Sequence, residues 1–150
     1  MTFEEVRNGE YWRLLLGPFL HGSIAHWAGN LALLILVGSV AGAISRPAAV
    51  AVFLAGTSLS AAAATVLSYG QFDSYVGVSG GINALFGWCA GLSARQPAWF
   101  PKGFLVTAVA FAFLNIGIAS ALSDSASWVG HVAGFAVGLC LGLLFKVRLT

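Results

Sequence analysis

The stretch Tyr75-Val76-Gly77-Val78-Ser79-Gly80-Gly81-Ile82-Asn83-Ala84-Leu85-Phe86-Gly87 places a serine between glycines where a polar loop turns into a long uncharged segment. Glycines on both sides let a neighbouring backbone come close and leave the Ser79 hydroxyl unshielded, a setting suited to a nucleophile. The run it belongs to, Ser74 to Ala94, carries no Asp, Glu, Lys or Arg. Four others share that property: Leu14 to Ser45, Pro47 to Phe72, Gly103 to Ser123 and Ser125 to Phe145. Each exceeds the ~20 residues a helix needs to cross the hydrocarbon of a bilayer. The expected fold is an all-α, polytopic membrane helix bundle. A single domain at 1–150 would hold an interfacial segment at 1–19 and about five transmembrane helices, roughly 20–44, 48–69, 78–95, 103–122 and 127–146.

Composition points the same way. Hydrophobic residues make up 59% of the chain, charged residues 8%, and the mean hydropathy is +0.89, whereas a soluble domain is about a quarter charged. The net charge of +2 comes without clustered Lys and Arg, which argues against nucleic acid and leaves the lipid bilayer as the surroundings. Cys89 and Cys140 fall inside apolar runs and read as packing residues, not as a disulfide. Residues 1–13 lack the basic start and apolar core of a signal peptide.

The charged residues between the runs are sorted by sign. Arg46, Arg95, Lys102, Lys146 and Arg148 occupy one set of helix ends. All five acids (Glu4, Glu5, Glu10, Asp73, Asp124) occupy the other, with Arg7 and Arg13. The positive-inside rule puts the first set, and so the C-terminus, in the cytoplasm, and the amino terminus outside. An odd number of spans leaves no upstream segment to carry the amino terminus across. The expectation is a first helix missing from this chain, or a short tail translocated by itself.

Chemistry-bearing side chains are few. Glu10-Tyr11-Trp12-Arg13 has the aromatic and charged character of a membrane-interface segment. His26 and Asn30 are spaced i, i+4 and share a helix face, where they act either as hydrogen-bonding glue between helices or as site residues. His21, His26 and His131 are three imidazoles without a His-Glu-x-x-His pattern and without an acid in any apolar run, so no metal is expected. The run from Pro47 offers no site residue, and the fourth helix, with Asn115 as its one amide, reads as the most lipid-facing.

Gly80, Ala84, Gly87 and Gly91 give the third helix a smooth face. Gly130, Gly134, Gly138 and Gly142 give the last helix a groove with His131 at its edge. A lone histidine in an apolar helix is ordinarily a packing residue. Depth argues otherwise here, because Ser79 is six residues past Asp73 and His131 seven past Asp124, which puts both roughly 10 Å inside the same boundary. A neutral His131 would take the Ser79 proton and return it to a leaving amine. With no acid at that depth the arrangement is a Ser–His dyad. The developing oxyanion could be met by the Ser79 N–H together with the His26 and Asn30 side chains, each such donor typically worth ~3 kcal/mol of barrier. Gly77-Val78-Ser79-Gly80-Gly81 also matches the elbow of α/β-hydrolases, but that fold needs a preceding strand and an acid that this chain does not offer.

In these residues the chain resembles the rhomboid intramembrane serine proteases. Trp12-Arg13 looks like their Trp-Arg loop motif, His21 with His26 and Asn30 like their His and His-x-x-x-Asn elements, Gly77-Val78-Ser79-Gly80 like their Gly-x-Ser-Gly, and Gly130-His131-Val132-Ala133-Gly134 like their histidine helix. The resemblance implies Ser79 as nucleophile, His131 as base, and His26 and Asn30 as oxyanion donors. It also implies cleavage of transmembrane protein substrates near the outer face without a cofactor; the membrane expected is a prokaryotic inner (plasma) membrane. Gly77, Gly80, Asn83 and His21 would support the site. Two departures stand out: the family core has six transmembrane helices and this chain would lack the first, and Asn83 replaces an aromatic residue that many members carry four after the serine. Asn83 is free to hydrogen-bond His131 instead, or to mark a specialised member such as the sorting-type rhomboids. The competing functions are a catalytically silent relative that binds transmembrane segments and, more remotely, a channel or transporter. The sequence is silent on oligomeric state.

Overall fold

The computed structural model describes residues 1–122 and 127–147. Asp124 and Arg148, used above to sort the charges, lie outside them. Two short helices, α1 (Phe3–Arg7) and α2 (Arg13–Leu16), and a 3-10 turn at Gly17–Phe19 lead into α3 (Ile24–Leu67), α4 (Ser79–Arg95), α5 (Phe104–Leu122) and α6 (Ser127–Leu144). The described residues form an all-α bundle with no strand.

Helix α3 starts at Ile24 because Ser23, in extended backbone, accepts the His26 N–H at 3.1 Å. It breaks at Ser45 (φ −161, ψ 111), just before Pro47, whose missing N–H cannot bond the preceding turn. Asn30 sits against Gly77 and Ser60 against Gly80. The arms 24–44 and 46–67 therefore return to the same level, and the chain reverses at Ser45. Where a loop separates two helices in the sequence reading, a single extended residue does the turning.

By length and composition α3 is the one helix among the described residues that is long and apolar enough to cross a membrane (44 residues, mean hydropathy 1.9); the apolar stretches Phe104–Ile118 and Trp128–Leu144 are shorter. Helix α4 is the centre of the bundle, buried from Ser79 through Ser93. Around it pack Val37, Ala41 and Val52 of α3 and Ala108 and Ala112 of α5. Elsewhere on α5, Val106, Phe113 and Leu114 are exposed. So are Ile24, Ile35, Val66 and Leu144, a distribution suited to lipid and costly in water. Cys89 is buried as a packing residue should be. Cys140, expected to pack likewise, is exposed on the outer side of α6.

Helices α4 and α6 run parallel and approach closely. A Cβ on Gly134 would collide with the Gly80 carbonyl, one on Gly138 with the Ala84 carbonyl, and one on Gly142 with the Trp88 carbonyl. The glycine groove of the last helix thus receives the backbone of α4 turn by turn. At the lower end Arg95 donates to the carbonyls of Gly142 (3.2 Å) and Phe145 (2.9 Å), closing the C-terminal turn of α6. At the other end Arg13 pairs with Glu10 (2.9 Å) and Glu5 (3.3 Å) and lies over the Trp12 ring.

Candidate active site

The close approach of α4 and α6 decides where Ser79 and His131 meet. Ser79 opens α4 and His131 lies in the second turn of α6; Ser79 Oγ and His131 Nε2 are 2.6 Å apart, with the two residues 3% and 4% exposed. With the ring neutral and protonated on Nδ1, the hydroxyl donates to Nε2, the arrangement a base needs to take that proton. His131 Nδ1 is buried and has no partner. No Asp or Glu occurs anywhere in α3, α4, α5 or α6.

His26 and Asn30 arrive from the first turns of α3 and face the loop before Ser79. Gly77 has φ +96, a region open to glycine, and its N–H donates to the Leu20 carbonyl at 2.8 Å. A Cβ there would lie 2.7 Å from the His26 ring and 3.3 Å from Asn30 Nδ2, so the missing side chain is what admits both residues. Asn30 Nδ2 is buried without an acceptor, a donor held ready beside the serine loop. His21 holds the Phe19 carbonyl through Nδ1 (3.0 Å), stands edge-on to the His26 ring at 5.2 Å, and leaves a buried Nε2 unpartnered. His21 and Asn30 line a cavity of about 210 Å³ with Phe19, Trp27, Phe53 and Val78. A larger cavity of about 650 Å³, lined by Leu34, Gly38, Arg46, Ala49 and Leu85, opens toward the Ser45 turn and contains none of these polar groups.

Two of the supporting residues take defined places. Gly80 has no room for a side chain, since a Cβ would strike Ser60. Asn83 is wholly buried and donates its amide N–H to the Ser79 carbonyl at 2.9 Å, leaving Oδ1 without a partner; the direct bond to His131 that the sequence allowed is not formed.

Tyr75 escaped the sequence reading. Only 1% exposed, it stands 3.4 Å from Ser60 Oγ, and its hydroxyl interacts with Ser79 and the Gly80 backbone. Burial pushes its pKa up from the ordinary tyrosine value. It is held by a strap at the start of the chain: Tyr75 N–H donates to the Met1 carbonyl (3.1 Å) and Phe3 N–H to the Asp73 carbonyl (2.9 Å), an antiparallel bridge centred on Thr2 and Ser74. Met1, Phe3 and Val6 are buried there with Ala61, Ala64 and Tyr75. The one available signal was Tyr75 itself, a large polar aromatic four residues before the serine.

A buried serine bonded to an imidazole thus lies between two parallel helices of an all-α bundle. The chain matches the Rhomboid domain over residues 8–148, nearly its whole length, and it belongs to the rhomboid family. Members of that family are integral membrane proteins, generally intramembrane serine proteases acting on transmembrane substrates, with inactive relatives among them. No curated protein matches the chain significantly.

Proposed function

We propose that this protein is an intramembrane serine endopeptidase that cleaves membrane-anchored proteins near the outer face of the bilayer. The observation that carries the reading is the 2.6 Å approach of Ser79 Oγ to His131 Nε2 in a chain of the rhomboid family. Ser79 Oγ attacks the scissile carbonyl while His131 Nε2 takes its proton, and the imidazolium then protonates the leaving amine. The oxyanion of the tetrahedral intermediate is met by the Ser79 N–H at the start of α4, by Asn30 Nδ2 and by His26. A water entering by the polar side of the His21–Asn30 cavity then hydrolyses the acyl-enzyme, with His131 again as base.

The two arms of α3 with α4, α5 and α6 make five spans in this reading. The Arg46, Arg95 and Lys102 ends lie in the cytoplasm, the C-terminus with them, and the membrane is a prokaryotic inner membrane. The decisive experiment is cleavage of a single-span model substrate by the purified protein in lipid vesicles, wild type against Ser79→Ala and His131→Ala. Cleavage lost in both variants, with melting behaviour retained, supports the reading. Uncleaved substrate with the folded wild type overturns it in favour of a relative that binds transmembrane segments without cutting them.

A further inference from the structure

Asn83 and His131 each present one buried polar atom with no partner, Oδ1 and Nδ1, on the two helices that form the candidate active site. The polarity of the Asn83 amide is fixed by chemistry. The Ser79 carbonyl 2.9 Å away only accepts, so the NH2 group must face it and Oδ1 must point elsewhere.

The packing register shows where that is. Ser79 bonds His131, a Cβ on Gly87 would strike the Phe135 carbonyl and approach the Leu139 nitrogen, and one on Gly91 would approach the Leu139 carbonyl. The line 79, 83, 87, 91 of α4 therefore faces the line 131, 135, 139 of α6. Asn83, midway between Ser79 and Gly87, falls in the slot between His131 and Phe135. An acceptor without a donor and a donor without an acceptor share one buried interface, where each orphan alone is costly.

We propose that Asn83 is the positioning residue of His131: its side-chain carbonyl accepts the Nδ1 proton through one ordered water, and so holds the ring in the tautomer that leaves Nε2 free to take the Ser79 proton. This rests on the catalytic reading of Ser79 and His131, and it makes the dyad a Ser79–His131–Asn83 relay. A neutral amide supplies the orientation that a carboxylate supplies in the familiar triads, at a depth where an ionised acid would be costly.

Two substitutions separate this role from a structural one. Asn83→Leu removes both the acceptor and the donor to Ser79. Asn83→Asp keeps an acceptor but loses the donor. The first readout is the rate at which a fluorophosphonate labels Ser79 as a function of pH, beside the melting temperature. Asn83→Leu should slow labelling roughly 10–100-fold, while Asn83→Asp should label within a few-fold of wild type and shift the acidic limb of its profile upward, because a carboxylate favours the imidazolium. Equal losses in both variants, or full labelling in Asn83→Leu, overturn the proposal.

The second readout does not require activity: ring 15N NMR of His131 in bicelles, assigned by loss of signal in His131→Ala. Wild type should show a single Nδ1-protonated form and Asn83→Leu a mixture of tautomers. If wild type fails to label at all, the catalytic reading falls, and the spectra alone decide on Asn83. Identical His131 spectra in wild type and Asn83→Leu would then reject the contact.

Discussion

The Tyr75 ring fills the space beside the Cα of Gly130, so the residue preceding His131 has no room for a side chain. The same tyrosine touches Ser60 and the start of α4, and thus sets the spacing of three helices at the level of the Ser79–His131 pair. Tyr75→Ala should cost about 3–5 kcal/mol of stability through the cavity it leaves. Tyr75→Phe, which removes the hydroxyl and its contacts to Ser60, Ser79 and the Gly80 backbone, should cost less, about 0.5–1.5 kcal/mol. Thermal unfolding in detergent measures both, and equal losses would mean that the hydroxyl, not the ring, holds the site.

Gly134→Ala puts a methyl group against the Gly80 carbonyl, backbone that cannot rotate away. Overpacking of this kind costs about 1–3 kcal/mol. Displacing α6 by about 1 Å should reduce probe labelling of Ser79 on the order of 10²-fold. Gly117→Ala on α5, where a Cβ meets nothing within 4 Å, is the control and should label normally. Normal labelling in Gly134→Ala would show that the pair does not depend on this approach.

Asn30→Ala removes a donor that the resting structure leaves unused. On the proposed reaction the expected result is kcat lowered by about 10²–10³-fold with KM little changed, because the interaction would be made only with the developing oxyanion. A rise in KM at constant kcat would move Asn30 from the oxyanion to substrate binding.

The strap at the start of the chain should respond to acid. The Thr2 side chain and backbone hydrogen bonds hold the Glu5 carboxyl below its ordinary value, with Arg13 adding to the effect. A depressed pKa contributes stability above the unfolded value and loses it as pH falls through the folded one. The hydrogen-exchange protection of residues 1–10, corrected for the intrinsic pH dependence of amide exchange, should therefore fall below the ordinary carboxylate range in wild type, and do so less steeply in Glu5→Gln. Protection that does not change with pH would exclude Glu5 as the fastening.

Much of this arrangement was legible in the residues. Uncharged runs and glycine periodicity pointed to an all-α bundle, and the glycines of the last helix marked the face that meets α4. Period and charge are properties of single helices, and those are read well from a line of letters. What stayed hidden was of another kind. The pairing of Met1–Phe3 with residues 73–75 is an isolated bridge, too short to have a period. The turn at Ser45 replaces a loop with one extended residue. The place of Tyr75 depends on three elements at once, and the orphaned oxygen of Asn83 becomes visible only when its amide is seen committed to Ser79.

Helix α4, enclosed on every side by the rest of the bundle, has a history as well as a position. At 17 residues it is shorter than the ~20 that cross a bilayer, so on the proposed reading its place there depends on neighbours, and α6 is made after it. Ser79 leaves the ribosome 52 residues ahead of His131, an interval of about 3–10 s at ordinary rates of synthesis. During that interval Ser79 has no imidazole beside it. The Ser79–His131 pair forms only when α6 lays its glycines along α4, and on the proposed reading a chain arrested earlier in synthesis carries a serine that cannot cut.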